Sequence, residues 1–341
     1  MEARIRLALL AKTIISGVAK TVEFGKPQCR LAAASAYTVL WVIALQLIGN
    51  SSAFAQSRVL SHWNTFTGGR LATQVDSSGY PLTGGLQEFQ PFVYPAFLAI
   101  RGADFFIADS GARKIYRFDQ EQQILSVVPG IGASMGTRLQ VGLDQTLFVL
   151  GAGEPGILHF DRAGRLLASY SDPQDTAILE EFTVNEQSGR VLATDRKSRK
   201  LIAVDSGWLK YPLIGSGDSM TMRLGALASA EGSVYAIDKN CSCIVILDEE
   251  GNLRERIGQG VLAQPYALAA AQNGYLFVAD AVNRKLWVGL RGEWVTSYEA
   301  RKLHVSEISA MAVAEGALYI ADGPGGQVVS FRIRPPSERR Q

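Results

Sequence analysis

Histidine and cysteine are both scarce in this chain of 341 residues, at three of each. The histidines, His62, His159 and His304, stand far apart and at non-equivalent places in the pattern described below. No pair of them has the spacing of a metal-binding motif. Cys29 lies in the N-terminal leader, leaving Cys241 and Cys243 in the run Lys-Asn-Cys-Ser-Cys. Two thiols without a neighbouring histidine make no zinc site, and two cysteines make no disulfide framework. The pair reads either as a disulfide clamping one turn or as idle thiols. Charge of one sign is also lacking. The first 55 residues carry six basic and two acidic side chains, so the remainder holds 28 basic against 30 acidic, a net of −2. That balance excludes the electrostatic footprint of a nucleic-acid binder. Glycine-rich stretches such as Gly215-Ser-Gly-Asp218 lack the strand-to-helix setting of a phosphate loop. No nucleophile and base are paired by spacing. The residues therefore call for no metal and no cofactor, and whether the protein is an enzyme stays open, with the weight on a non-enzyme.

What the chain does contain is a period. Asp109, Gly151, Asp195, Asp238, Asp280 and Asp322 follow one another at gaps of 42, 44, 43, 42 and 42 residues. Each Asp ends a short apolar run: FFIAD, VLATD, VYAID, LFVAD, LYIAD. About ten residues earlier stands another strand-like stretch, such as Phe97-Leu98-Ala99-Ile100, followed by a turn that often holds glycine: Gly102, Gly189, Gly232, Gly274, Gly316. Six residues after the marker an aliphatic side chain opens a third strand, and a turn such as Asp248-Glu-Glu-Gly251 leads to a fourth. No helical period competes. Repeats of this length made of four strands predict an all-β fold, a six-bladed β-propeller spanning residues 56–333. Residues 334–341 read as a flexible tail. The last unit, Val328 to Ile333, supplies only a third strand. Arg58-Val59-Leu60-Ser61-His62-Trp63 resembles the missing fourth and is predicted to close the ring.

The units resemble NHL repeats, in which an apolar-Ala-Asp run precedes a turn, a basic residue and isoleucine. Val278-Ala279-Asp280-Ala-Val-Asn283-Arg284-Lys285-Leu286 and Ile107-Ala108-Asp109-Ser-Gly111-Ala-Arg113-Lys114-Ile115 carry the likeness. It covers about Pro95 to Phe331. Two units depart from it: the Gly151 unit lacks the aspartate, and the Asp322 unit has Gln327 in the basic position. The Gly-His and Trp-Asp signatures of WD40 repeats are missing. Asp109, Asp195, Asp238, Asp280 and Asp322 are assigned a structural role, since a short carboxylate at a turn accepts from backbone amides and is needed once per blade. Some propeller relatives are metal-dependent lactonases or lyases with ligands around the central channel. Here the inner strands are mostly apolar, with Arg138, Glu181, Thr183, Arg223 and Glu307 as polar exceptions.

From Leu31 to Ser57 there is no charged residue, and Ala53-Phe54-Ala55 offers a signal-peptidase site. Residues 1–55 therefore read as a leader with a secretory signal, cleaved after Ala55, and the protein as periplasmic or secreted. The alternative is a membrane anchor formed by residues 31–49.

Two features point to a binding face. Three alternate units carry a basic pair after the aspartate: Arg113-Lys114, Arg199-Lys200 and Arg284-Lys285. The turns between second and third strands share one end of a propeller, so these pairs form either a rim for an acidic partner or ordinary interblade packing. The segment from Thr67 to Tyr94, with Tyr80 and Phe89, is too long for a simple connection. It reads either as a binding loop on that same face or as a plug over the channel. The sequence thus predicts an exported binding or protein–protein scaffold in the cell envelope, with a small molecule or polysaccharide as other possible ligands. The alternative is a lactonase or lyase with a site at the channel mouth.

Overall fold

Second strands of the repeats are buried along their whole length, as in Asp104–Asp109 and Tyr275–Asp280. Such a strand has a neighbouring blade on each side, so both its faces are covered and it reads as one apolar run. In the computed structural model, which describes residues 59–334 except 78, 152–155, 172–176, 186, 206–207 and 214–221, six sheets repeat this arrangement. Within each four-stranded repeat unit the first strand is innermost and its successors follow outward, each antiparallel to the last, with chain order broken only at the outer edges of blades 6 and 1. Blade 1 begins with Pro95–Arg101, blade 2 with Arg138–Val141 and blade 3 with Leu179–Val184. Blade 4 begins with Leu224–Ala230, blade 5 with Pro265–Ala270 and blade 6 with Ala310–Ala314. Each innermost strand packs on the next, and the sixth packs on the first, so the ring is closed.

The core consists of six apolar layers, one between each pair of adjacent blades. Alternation along a strand sends successive side chains to opposite neighbours. Phe105 and Ile107 pack toward blade 6, whereas Phe106 and Ala108 pack toward blade 2. Phe277 and Ala279 likewise face blade 6, and Leu276 and Val278 face blade 4.

Leu60–Phe66 pairs antiparallel with Gln327–Ile333 and supplies the fourth strand of blade 6, as the sequence predicts. Its Leu60 and Phe66, with Val59 just before it, are buried in the layers on both sides of that blade. The glycine turns also follow the pattern: Gly102, Gly189, Gly232, Gly274 and Gly316 all have positive φ.

Most of the segment after the closing strand is neither a plug nor a loop on the rim, and only its end, at Val93 and Tyr94, reaches the aspartate turns. Gly68–Ala72 pairs in parallel with Ile124–Val127, the outer strand of blade 1, and Leu86–Pro91 pairs with it in turn. Blade 1 therefore has six strands, with the extra hairpin at its outer edge. The leader, residues 1–55, and nearly all of the C-terminal tail lie outside the described residues.

Candidate binding face

Antiparallel order places the second-to-third turns and the connections between blades at one end of the ring. The repeated aspartates tie these two sets of chain together. Asp109 accepts hydrogen bonds from the amides of Val93, Tyr94 and Ala112 at 2.8, 2.9 and 2.9 Å. Asp280 accepts from the amides of Ala263, Gln264 and Asn283 and from the Asn283 side chain. Asp195 takes amides of Ile178, Lys197 and Ser198, and Asp238 those of Arg223 and Asn240. Burial acts to raise the Asp195 carboxyl, but its hydrogen bonds outweigh this and hold it below the usual carboxylate range. Asp322 accepts from the amides of Ser306, Glu307 and Gly325. Gln327, in the basic position of that unit, gives its side-chain amide to Asp322 and to the His304 carbonyl. In blade 2, which lacks the aspartate, the Ser134 and Thr137 hydroxyls donate to the Gly151 carbonyl across the same seam.

Four residues beyond each aspartate the chain enters the left-handed region: φ is 55° at Arg113, 59° at Arg199, 49° at Ser242, 47° at Arg284 and 60° at Gly326. The turn projects Arg113, Arg199 and Arg284 into solvent. Lys114 and Lys285 open the third strands and are half-buried, with the Lys285 ammonium 5.5 Å from the centre of the Trp287 ring. The Lys200 side chain lies outside the described residues. The same end of the ring carries Lys197 and Arg223. Among the described residues no carboxylate lies within ion-pair reach of Arg113, Lys114, Lys197, Arg199, Arg223 or Arg284. Glu180 approaches Arg196 and Lys239 at 3.8 and 3.9 Å, and Glu181 pairs with Arg138 at 2.8 Å. Burial raises the Glu181 carboxyl even against that guanidinium. Apolar side chains stand between the cations at loop tips: Val93, Met135, Ile178, Val261 and Val282, the last 65% exposed. The opposite end of the ring bears Asp119, Glu121, Asp144, Glu231, Glu249, Glu250 and Glu315 at its turns.

Tyr80 and Phe89 do not join the basic pairs. Phe89 sits exposed on the outermost strand of blade 1. Tyr80, at the hairpin tip, donates its hydroxyl to Asp104 on the opposite side of the ring. Cys241 and Cys243 are joined by a disulfide in the blade 4 turn. With Asp238 they are the one group of described residues close enough to hold an ion, and as a disulfide the two sulfurs are not thiolate ligands. The narrow channel is lined by side chains such as Leu98, Gln140, Thr183, Leu227, Ser229 and Met311. This set does not fit a metal site at the channel mouth.

The histidines also lie away from the channel. His159, on the third strand of blade 2, stacks on Phe148 with ring centres 4.0 Å apart. Thr146 donates to Asp144 at 2.6 Å, so it accepts from His159 Nε2, leaving Nδ1 to accept from the Tyr170 hydroxyl. Burial holds the ring below the usual imidazole value, although Asp144 acts in the other direction. The unfolded chain therefore takes a proton that the folded one refuses. This contribution is complete above the unfolded value and is lost as pH falls from there through the folded one. In urea titrations between pH 7 and 5, His159→Gln should show a shallower fall in stability than the parent protein. An unchanged slope would mean that His159 protonates equally in both states.

No protein-family profile and no characterised protein matches the chain by sequence. Solved structures do match. A virginiamycin B lyase from Staphylococcus aureus is 12% identical, with a TM-score of 0.50 over 73% of this chain and 87% of that one. A gluconolactonase from Xanthomonas campestris is 13% identical, with a TM-score of 0.53 over 80% and 99%. An auxiliary nutrient binding protein from Bacteroides ovatus is 15% identical, with a TM-score of 0.55 over 80% and 78%. Enzymes and binding proteins share this architecture, so the likeness establishes the chain as a six-bladed β-propeller and leaves its activity to be argued from its own residues.

Proposed function

We propose that this protein is an exported, NHL-type binding propeller that engages an acidic protein partner in the cell envelope through the face carrying the aspartate turns. The observation that carries this reading is the set of cations on that face, Arg113, Lys114, Lys197, Arg199, Arg223 and Arg284, that have no carboxylate within ion-pair reach among the described residues and are interleaved with exposed apolar tips. Arginine and large apolar side chains are favoured at protein interfaces, and their charge speeds encounter with an acidic surface. The aspartates of the same face are committed to backbone amides, and its basic side chains stand alongside the exposed Glu307 at the entry to blade 6. The leader supports export, with cleavage after Ala55. Among the described residues, the channel lining holds no ligand set that favours the lactonase or lyase alternative.

Crosslinked affinity capture from the envelope tests the reading. A triple variant, Arg113→Glu, Arg199→Glu and Arg284→Glu, should lose the partner, with affinity falling at least about tenfold at low salt. The three side chains are exposed, so the fold should persist. Capture of the same partner by parent and variant alike, or of none by the parent, would remove this face from consideration.

A further inference from the structure

The blade 4 turn carries a covalent link that its equivalents do without. Cys241 and Cys243 are joined across a separation of two residues. The corresponding pairs in the other aspartate turns are Ala112 and Lys114, Ser198 and Lys200, Asn283 and Lys285, and Gly325 and Gln327. Those four turns reach the same left-handed backbone, at Arg113, Arg199, Arg284 and Gly326, that Ser242 adopts between the cysteines. Asp238 also accepts from backbone amides, as the other aspartates do. The disulfide is therefore not what shapes this hairpin. Nor does so short a link add much stability, because a crosslink removes least freedom from the unfolded chain when the loop it closes is small.

The two sulfurs differ in access. Cys243 opens the third strand and is 0% exposed, packed in one layer with Met222 and Leu224. Cys241 lies half-buried in the turn. Arg223 and Lys239, both exposed, stand on the two chain segments that meet there, joined through the Lys239 amide and the Arg223 carbonyl. Cationic side chains at such a turn favour the approach of a thiolate. An Asp238 carboxylate oxygen lies within 4.8 Å of both sulfurs and is placed to accept from a thiol once one forms.

We propose that the disulfide of Cys241 and Cys243 exchanges with a small thiol. The thiolate attacks Cys241 Sγ, the bond to Cys243 breaks, and Cys243 leaves as a thiolate that takes up a proton. A second thiolate attacks the small thiol's own sulfur in the mixed disulfide and releases Cys241, which is protonated in turn. Two small thiols are thereby oxidised to their disulfide, and the protein gains two thiols. The exchange is independent of the acidic partner proposed above.

Reduction of the full chain by glutathione, with thiols at Cys241 and Cys243 counted by peptide mass, tests the site. The native protein should open its disulfide within about a hundredfold of the rate in urea, where the whole chain is accessible. Its urea midpoint should be unchanged once reduced. From oxidised glutathione, Cys243→Ser should take up one glutathione at Cys241, whereas Cys241→Ser should leave the buried Cys243 unmodified. A slower native rate would show that the link opens only with the fold, and a lowered midpoint on reduction would show that it serves as a clamp. Either result, or glutathione on Cys243 in preference to Cys241, overturns the proposal. The rate comparison on the parent protein decides even where a variant fails to fold.

Discussion

A chain lacking residues 56–66 should lose its cooperative unfolding transition and be recovered as aggregates or as exchanged oligomers. Three buried side chains leave with the closing strand, Val59, Leu60 and Phe66. At about 1.5–3 kcal/mol for each such side chain, roughly 4.5–9 kcal/mol of apolar burial goes with them. A whole domain is stable by only about 5–15 kcal/mol. The loss also bares one edge of Gln327–Ile333, whose amides and carbonyls then template pairing with other chains. A peptide of residues 56–66 added in trans should restore a sharp urea transition. A truncated chain that melts at the parent midpoint would show that the ring does not depend on this seam.

Asp280→Ala should be the most damaging single substitution in the turns, destabilising by about 3–5 kcal/mol in urea denaturation. Its two oxygens serve Ala263, Gln264 and Asn283, and so join the entry of blade 5 to the turn between its second and third strands. Removing the carboxylate strands several donors at a site that is 1% exposed. Asp280→Asn keeps one acceptor oxygen and should lose roughly half as much. Glu121→Ala, at a solvated turn, should stay within about 0.5 kcal/mol of the parent. A loss below 1 kcal/mol for Asp280→Ala would mean that water replaces the carboxylate at these amides.

The ring was legible in the sequence because its physics repeats. Every second strand is covered on both sides, so Ile107, Val278 and Ile320 recur in equivalent runs. Every tight turn demands positive φ, so Gly232 and Gly316 recur as well. The extra hairpin was not legible. Its strands, Gly68-Gly-Arg-Leu-Ala72 and Leu86-Gln-Glu-Phe-Gln-Pro91, have no apolar alternation and are held mainly by backbone pairing to blade 1. Tyr80 stood out as an aromatic residue in a long connection, yet nothing local told it where to dock. Its partners Asp104, Arg117 and Arg162 come from two blades and are brought together only by the ring. The basic pairs were visible as residues, but the lack of a described acidic partner for Arg113, Lys114, Arg199 and Arg284 was not, because Glu180 and Glu181 are distributed to other cations by packing.

The closing seam also sets how the protein bears a mechanical load. Leu60 pairs with Ile333, and the Arg334 amide donates to the Val59 carbonyl, so the two described ends of the chain leave side by side. Tension between them peels the seam from one end, one hydrogen bond at a time, instead of shearing all of its bonds together. The ring therefore opens at low force when pulled by both ends, whereas a load applied across the other blades meets whole strands in parallel.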